Sequence, residues 1–213
     1  MTSTTCVIKT IGRKTLKDAI SSARREGFLP IVISDGVNTA APGAAMYLKL
    51  GKQWGMYGGM CANVAAAVAP TEFITFLDDD DTFVEGAGDH IRATLQQHTD
   101  VDIWIGGVRF NSEIALHDKS GAEVWRGNEL AIHHKRGLTI GNVAMPTYRT
   151  SIFSKVPFTD TLPKDLSGAT DLHHVRACDA KGYKIGWFGK ALYQVRPHMD
   201  DAKGYDRVNG RGS

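Results

Sequence analysis

The chain has 213 residues, which is long enough to bury a core. Of these residues 42% are hydrophobic and 23% are charged, and this composition excludes disordered and fibrous proteins. Its 25 Lys and Arg residues nearly balance 23 Asp and Glu residues, so no broad positive field attracts nucleic acid or anionic lipid. The three cysteines lack C-x-x-C spacing, which argues against a disulfide framework and a cysteine zinc site.

Neither an export signal nor a membrane span is expected. The first residues, MTSTTCVIKTIGRKTLKD, are polar and basic, and no later stretch approaches the roughly 18 apolar residues of a transmembrane helix. We therefore expect a cytoplasmic protein with one main domain.

Short β-branched runs alternate with helical patterns over the first hundred residues, which is typical of an α/β domain with a mostly parallel sheet. Strands are predicted at 5–11, 28–34, 72–77 and 101–110, with helices at 14–26, 60–69 and 84–98. The second half is less regular. There we predict hairpins within 113–135, a helix at 171–181, and two strands at 183–188 and 191–196.

Four consecutive aspartates, Asp78 to Asp81, directly follow the apolar run FITFL. Open α/β sheets bind ligands beyond the carboxyl ends of their strands, which is where this strand delivers them. Carboxylate oxygens are hard ligands that suit Mg²⁺ or Mn²⁺, with diphosphate oxygens completing the coordination. The run therefore predicts a site for a divalent metal and a nucleotide diphosphate.

Two other interpretations of the run remain. In the first, Asp80 or Asp81 only caps the helix that follows, although four adjacent carboxylates repel one another and need a counter-ion. In the second, Asp78-x-Asp80-x-Thr82 is the D-x-D-x-T signature of haloacid dehalogenase-like phosphatases, with Asp78 as nucleophile and Asp80 as acid/base. No G-D-x-x-x-D loop follows residue 100 to complete that signature.

Four segments in order resemble family 2 glycosyltransferases, which are inverting enzymes with a GT-A (Rossmann-like) fold. They are the first strand with TIGRKTL, then FLPIVISDG, then GGMCANVAAAVAPTEFITFLDDDD, and finally ATDLHHVRACDAKGYKIGWFGKALYQVRPH. The resemblance implies a single α/β GT-A domain over 1–198, with a central mostly parallel sheet flanked by helices. Residues 199–213 then form a polar C-terminal tail that is a candidate mobile segment.

The resemblance also implies which residues bind the donor, a nucleotide-sugar with UDP-sugar favoured. Asp35 is placed to accept a hydrogen bond from the base, although an Asp before Gly36 is also a common turn former. Asp79 is placed to reach the ribose hydroxyls. The remaining implied donor-binding residues leave the first strand or open the Ala-rich helix, and they are Thr10, Gly12, Arg13, Gly59 and Asn63.

The metal and catalytic residues follow from the same resemblance. Asp80 is implied as the main ligand of Mn²⁺ or Mg²⁺, and His198 as a third ligand. Asp78, beside Asp80, is implied to contact the metal or the ribose. Asp171 falls at the position of the family's catalytic base, where Thr170-Asp171 replaces the usual Glu-Asp. Asp171 is also a candidate N-cap of the helix after it.

The implied acceptor carries a free hydroxyl, and similar small bacterial and bacteriophage enzymes act on glycans, proteins or hydroxymethylated DNA bases. Neither the acceptor nor the oligomeric state follows from the sequence. The departure at Thr170 also leaves open a non-catalytic protein that binds nucleotide or carbohydrate on the same fold.

Overall fold

The computed structural model describes residues 4–55, 58–110, 113–118, 123–127, 139–141, 146–159 and 170–195. These residues form a mixed α/β domain in which one curled, mostly parallel sheet is flanked by helices. The predicted fold class is therefore confirmed.

The first eighty residues build the parallel centre of the sheet. Strand β1 lies between β2 and β4 and is parallel to both, and β3 continues the sheet in parallel beyond β2. Their carboxyl ends therefore lie along one edge, which we call the carboxyl edge and which carries the residues following Thr10, Ser34 and Asp78. The elements are β1 (Thr4–Thr10), α1 (Leu16–Arg25), β2 (Leu29–Ser34), β3 (Met46–Lys49), α2 (Gly59–Val68) and β4 (Phe73–Asp78).

The rest of the chain extends the sheet on the β4 side. Strand β10 inserts antiparallel between β4 and β6, and β11 runs parallel to β6. A short 3-10 helix follows β10 at Thr150–Ser154. The elements are β5 (Thr82–Phe83), α3 (Ala87–Gln97), β6 (Ile103–Phe110), β7 (Glu113–Asp118), β8 (Glu123–Gly127), β9 (Thr139–Gly141), β10 (Thr147–Arg149), α4 (Thr170–Ala180) and β11 (Ile185–Val195).

Both faces of the sheet are buried, because successive strand residues point to opposite sides. Ile8 joins the core under α1 and α3, whereas its neighbour Val7 joins the core under α2, the 3-10 helix and α4. This burial explains why β1, β2 and β4 have nearly continuous apolar sequences. The two cores position the loops at the carboxyl edge.

Several predicted boundaries are wrong. Strands β3, β5, β9 and β10 were not predicted, because they have only two to four residues and β3 is largely exposed, without an apolar alternation. The two strands predicted at 183–188 and 191–196 are one strand, β11. Gly189 has φ 71° and the register shifts between Trp187 and Ala191, so this glycine forms a bulge and not a turn.

Helix α3 begins at Ala87, with Gly86 as its N-cap, and not at residue 84. Asp80 and Asp81 therefore do not cap it, and the cap-only interpretation of the aspartate run is wrong. Strands β7 and β8 confirm an antiparallel hairpin in the first part of 113–135, while 128–135 lies outside the described residues.

The four described α-helices have ten or eleven residues each, and no described helix is long and apolar enough to cross a lipid bilayer. The predicted tail 199–213 and the predicted metal ligand His198 lie outside the described residues, so both stay predictions.

Candidate active site

The aspartate run lies at the carboxyl edge, where β4 ends at Asp78. A turn follows, in which the Asp81 N–H donates to the Asp78 carbonyl at 3.2 Å. This turn gathers carboxylate oxygens of Asp78, Asp80 and Asp81 within 4.8 Å of one another. Such a set of hard oxygens fits a Mg²⁺ or Mn²⁺ ion. Asp81 belongs to the set although the sequence assigned it no ligand role.

Asp79 points away from this acidic cluster and is fully buried. Its carboxylate accepts hydrogen bonds from the Thr10 hydroxyl at 2.5 Å and from the Ile11 N–H at 3.2 Å, and it pairs closely with the Arg13 guanidinium. With these donors in place, Asp79 holds the loop after β1. Its predicted contact with the ribose hydroxyls stays a prediction.

The loop after β1 is correspondingly well ordered by its own contacts. The Gly12 N–H donates to the Thr10 hydroxyl oxygen at 2.9 Å, and Gly12 has φ 89°, which favours glycine. Arg13 lies with Nε 3.7 Å from an Asp80 oxygen while its side chain remains 28% exposed. Arg13 thus lies beside a member of the acidic cluster, while Thr10 and Gly12 belong to the loop that Asp79 holds. The donor-binding role of these three residues stays a prediction.

Lys9 is a site residue that the sequence analysis missed. Its side chain is 8% exposed, it pairs with Asp78 in the β1–β4 register, and its Nζ lies 3.2 Å from an Asp78 oxygen. Burial lowers the pKa of Lys9, but the charges of Asp171 and Asp78 raise it above its ordinary value. A charged residue within the apolar run TCVIKT was the available signal, since a buried lysine requires an acidic partner.

Asp171 lies in the first turn of α4 and interacts electrostatically with Lys9. Burial raises the pKa of Asp171 to about 7, the Lys9 charge opposes that rise, and the Asp78 charge adds to it. Tertiary structure therefore brings Asp171 into the electrostatic environment of Asp78, ninety-three residues earlier in the chain. A carboxylate with a pKa near neutrality is suited to accept a proton.

Asp35 follows β2 and is 4% exposed. Its two oxygens accept hydrogen bonds from the backbone N–H groups of Trp54 and Gly55, at 2.7 and 2.8 Å. Asp35 therefore holds the loop after β3. Its predicted hydrogen bond with a base stays a prediction. The indole of Trp54 remains 39% exposed on the loop that Asp35 holds.

Asn63 and Gly59 lie in the first half of α2. The Asn63 amide donates to the Phe158 carbonyl at 2.9 Å and accepts from the Phe158 N–H at 2.8 Å. Asn63 thus attaches the segment after the 3-10 helix to α2. Its predicted contact with a nucleotide stays a prediction. Gly59 begins α2 and is buried, and the preceding Gly58 has φ 79°.

No protein-family model and no curated protein sequence matches this chain. Solved structures do match. TarS from S. aureus, residues 1–349, superimposes with a TM-score of 0.65 at 17% identity, covering 91% of this chain and 60% of that one. TarS in complex with UDP-GlcNAc matches with a TM-score of 0.59 at 16% identity, covering 95% and 60% respectively.

The mannosyltransferase PcManGT from Pyrobaculum calidifontis, solved with GDP-Man and Mn²⁺, matches with a TM-score of 0.64 at 12% identity, covering 98% of this chain and 61% of that one. The chain spans about three fifths of the length of TarS 1–349 and PcManGT. Neither these structures nor the described residues support the phosphatase interpretation. The matches extend over nearly the whole chain, and they show that it has a GT-A-like, glycosyltransferase-type fold.

Proposed function

We propose that this chain is a metal-dependent, inverting glycosyltransferase that moves a sugar from a nucleotide-sugar donor to an acceptor hydroxyl. The observation that carries the proposal is that Lys9 interacts with two acidic features. Its ammonium lies 3.2 Å from an oxygen of Asp78, which belongs to the cluster of Asp78, Asp80 and Asp81, and it interacts electrostatically with Asp171, whose pKa is near 7. A transferase of this class needs both a metal site for the leaving diphosphate and a base for the acceptor.

Asp78, Asp80 and Asp81 would hold the divalent ion, with His198 as a further predicted ligand outside the described residues. Bound there, Mn²⁺ or Mg²⁺ would act as a Lewis acid that stabilises the charge developing on the leaving nucleoside diphosphate. The neighbour solved with GDP-Man and Mn²⁺ supports this assignment. Three carboxylates within 4.8 Å repel one another, and this repulsion favours binding of a dication.

Asp171 would accept the proton of the acceptor hydroxyl, so that the oxygen attacks the anomeric carbon as the bond to the diphosphate breaks. Direct attack from the face opposite the leaving group inverts the anomeric configuration. A general base of this kind typically contributes about 10²–10⁴-fold to the rate. Its pKa of about 7 is close to the value at which proton transfer near neutral pH is most efficient.

The donor would lie along the carboxyl edge, against the loop of Thr10, Gly12 and Arg13, with the guanidinium of Arg13 near a phosphate. Asp79, Asp35 and Asn63 would support this site indirectly, since each holds a neighbouring segment of backbone. Gly59, at the start of α2, would let a phosphate approach the helix backbone closely. The TarS structures with UDP and UDP-GlcNAc favour a UDP-sugar.

The acceptor carries a free hydroxyl, and the candidate classes are a glycan, a protein and a hydroxymethylated DNA base. A turnover assay with each class, followed by determination of the product anomer, would assign the acceptor and establish inversion against retention.

The central experiment is a thermal-shift panel of UDP, GDP and their sugars, with and without Mn²⁺, on the wild type and on Asp80→Ala, Asp171→Asn and Asp89→Asn. Asp89 is 89% exposed and pairs with Arg92 on α3, so its variant is the matched control. We expect Mn²⁺-dependent stabilisation by a nucleoside diphosphate in the wild type and the Asp89 variant, and its loss in Asp80→Ala.

Asp171→Asn should bind nucleotide normally but lose turnover of the donor, by about 10²–10⁴-fold. Stabilisation by a nucleoside diphosphate that required no metal and persisted in Asp80→Ala would contradict the proposed metal site. Full turnover by Asp171→Asn would contradict the catalytic base. A wild type that bound nucleotide and metal but transferred no sugar to any acceptor class would favour the non-catalytic alternative.

A further inference from the structure

Lys9 stands out because its burial and its position both require an explanation. It is the charged residue of β1, a strand whose seven residues are all buried, and its own exposure is 8%. Burying an ammonium group is costly unless it is paired. A residue with this cost at the edge of an acidic cluster suggests a role in that cluster.

The position of the Lys9 side chain is enforced by its surroundings. Gly58 has φ 79°, and a Cβ built on it would lie 2.7 Å from the Lys9 Cδ. Any larger residue at 58 would therefore displace the aliphatic part of Lys9. The space beside Gly58 thus accommodates the lysine side chain, whose Nζ reaches Asp78 on the neighbouring strand β4.

The ammonium of Lys9 lies 3.2 Å from an oxygen of Asp78, and Asp78 is one of the three clustered carboxylates. Arg13 differs, because its closest carboxylate is Asp79, which lies outside the cluster, and its Nε is 3.7 Å from Asp80. Of these two cations, Lys9 is the one that pairs more closely with a member of the cluster.

We propose that Lys9 is a positioning residue that acts as a built-in counter-cation: it pairs with Asp78 in the metal-free chain and competes with the divalent ion for that carboxylate. This inference rests on the proposed function, because it requires the metal site of Asp78, Asp80 and Asp81. With an ion bound to the cluster, the ammonium would give up part of its interaction with Asp78 and would keep its electrostatic interaction with Asp171. The charge of Lys9 then acts both on the proposed metal ligand Asp78 and on the proposed base Asp171.

Electrostatics predict two opposite effects of removing this charge. A dication near an ammonium is repelled, so neutralising Lys9 should strengthen Mn²⁺ binding, by about tenfold. Asp171 would meanwhile lose its positive neighbour, so turnover should fall. A purely structural lysine would behave differently, because its removal would disturb the cluster and weaken the metal as well.

The experiment measures Mn²⁺ affinity by isothermal titration calorimetry in the full chain, for the wild type, Lys9→Met, Lys9→Gln, Asp80→Ala and Lys184→Met. Lys184 is an exposed lysine whose Nζ lies 3.1 Å from Asp100, so its variant is the matched control. We expect about tenfold tighter Mn²⁺ binding in both Lys9 variants, with reduced donor turnover, and wild-type affinity in Lys184→Met.

Equal or weaker Mn²⁺ binding in the Lys9 variants, with normal binding in the wild type, would overturn the counter-cation role and leave the metal site intact. Failure of both Lys9 variants to fold, judged by circular dichroism, would assign Lys9 a structural role and also overturn it. A wild type that bound no Mn²⁺, or an Asp80→Ala variant that bound it unchanged, would instead overturn the metal site itself.

Discussion

The carboxyl edge and the layer around α4 hold their acidic residues in opposite ways. At the carboxyl edge, Asp79 and Asp35 are ordered by donors, because backbone N–H groups and the Arg13 guanidinium meet their oxygens. In the layer around α4, called the α4 layer below, the packing is neutral and aromatic. The ring of His174 stacks on Phe158, with centroids 4.0 Å apart and planes 8° from parallel.

This difference separates carboxylates that build the site from the one proposed to act in it. Asp79 and Asp35 have their oxygens engaged by protein donors, so they are suited to hold loops. Asp171 lies beside the apolar α4 layer, and its pKa is raised to about 7 mainly by burial. A carboxylate whose charge is poorly solvated is the better proton acceptor. The following four tests act on one region or the other, from the largest expected effect to the smallest.

The carboxyl edge should depend most on Asp79. Replacing it by Ala leaves the Arg13 guanidinium and the Thr10 and Ile11 donors without their acceptor, and we expect the free energy of unfolding to fall by about 4 kcal/mol. Urea denaturation measures this change. Asp80→Ala is the control, since Asp80 is assigned to metal and not to the loop. A smaller loss for Asp79→Ala than for Asp80→Ala would remove the distinction between the two roles.

Gly36 tests how tightly Asp35 and the loop after β3 are fitted together. Gly36 has φ 76°, and a Cβ there would lie 2.4 Å from the Gln53 nitrogen, a backbone atom that cannot move without its loop. We expect Gly36→Ala to lower the free energy of unfolding by about 3 kcal/mol. Gly51→Ala is the matched control, because a Cβ at Gly51 meets nothing within 4 Å. Equal stability of the two variants would show that the loop is not held closely.

The α4 layer should respond to pH through two groups with opposite signs. Burial lowers the pKa of His174 to about 4, so its contribution to stability is complete above its unfolded pKa of about 6.5 and is lost as pH falls. The raised pKa of Asp171 has the opposite effect on stability. The folded chain binds a proton at Asp171 as pH falls through about 7, so the folded state becomes more stable. The two effects oppose each other between pH 7 and 5.

Urea denaturation of metal-free variants at pH 7 and pH 5 separates the effect of His174 from that of Asp171. Asp171→Asn should lose about 2 kcal/mol of stability between these values, since only the His174 effect remains. His174→Gln should gain stability over the same window, and the wild type should lie between the two. Parallel pH dependence of both variants would contradict the neutral character of the α4 layer.

Asn63 provides the smallest expected effect, at the junction between α2 and the segment that follows the 3-10 helix. Asn63→Ala removes both hydrogen bonds to the buried Phe158 backbone, and we expect a loss of about 1–2 kcal/mol. Because Asn63 supports the α4 layer and does not bind nucleotide in our account, nucleotide affinity should persist in this variant. A thermal-shift titration with UDP and Mn²⁺ tests that point, and lost affinity with unchanged stability would favour direct nucleotide contact.

The sequence predicted the parallel half of the fold well, because β1, β2 and β4 are buried on both faces and read as continuous apolar runs. It predicted the second half less well. Strand β10 has three residues and joins the sheet through partners distant in sequence, with Thr147 opposite Thr75 and Trp104. Local propensity carries little information about such a pairing. The predicted gap between 183–188 and 191–196 contains Gly189, and glycine occurs both in bulges and in turns, so the sequence does not distinguish the two.

The candidate site divides in the same way. Local sequence was sufficient to place Asp78 to Asp81 at the end of a buried strand, since strand and acidic run are contiguous. Only the tertiary structure decided which way each carboxylate points: Asp79 turns towards Arg13, while Asp78, Asp80 and Asp81 converge. It also brought Lys9 and Asp171 to the cluster, because charges from separate elements interact only when packing places them side by side.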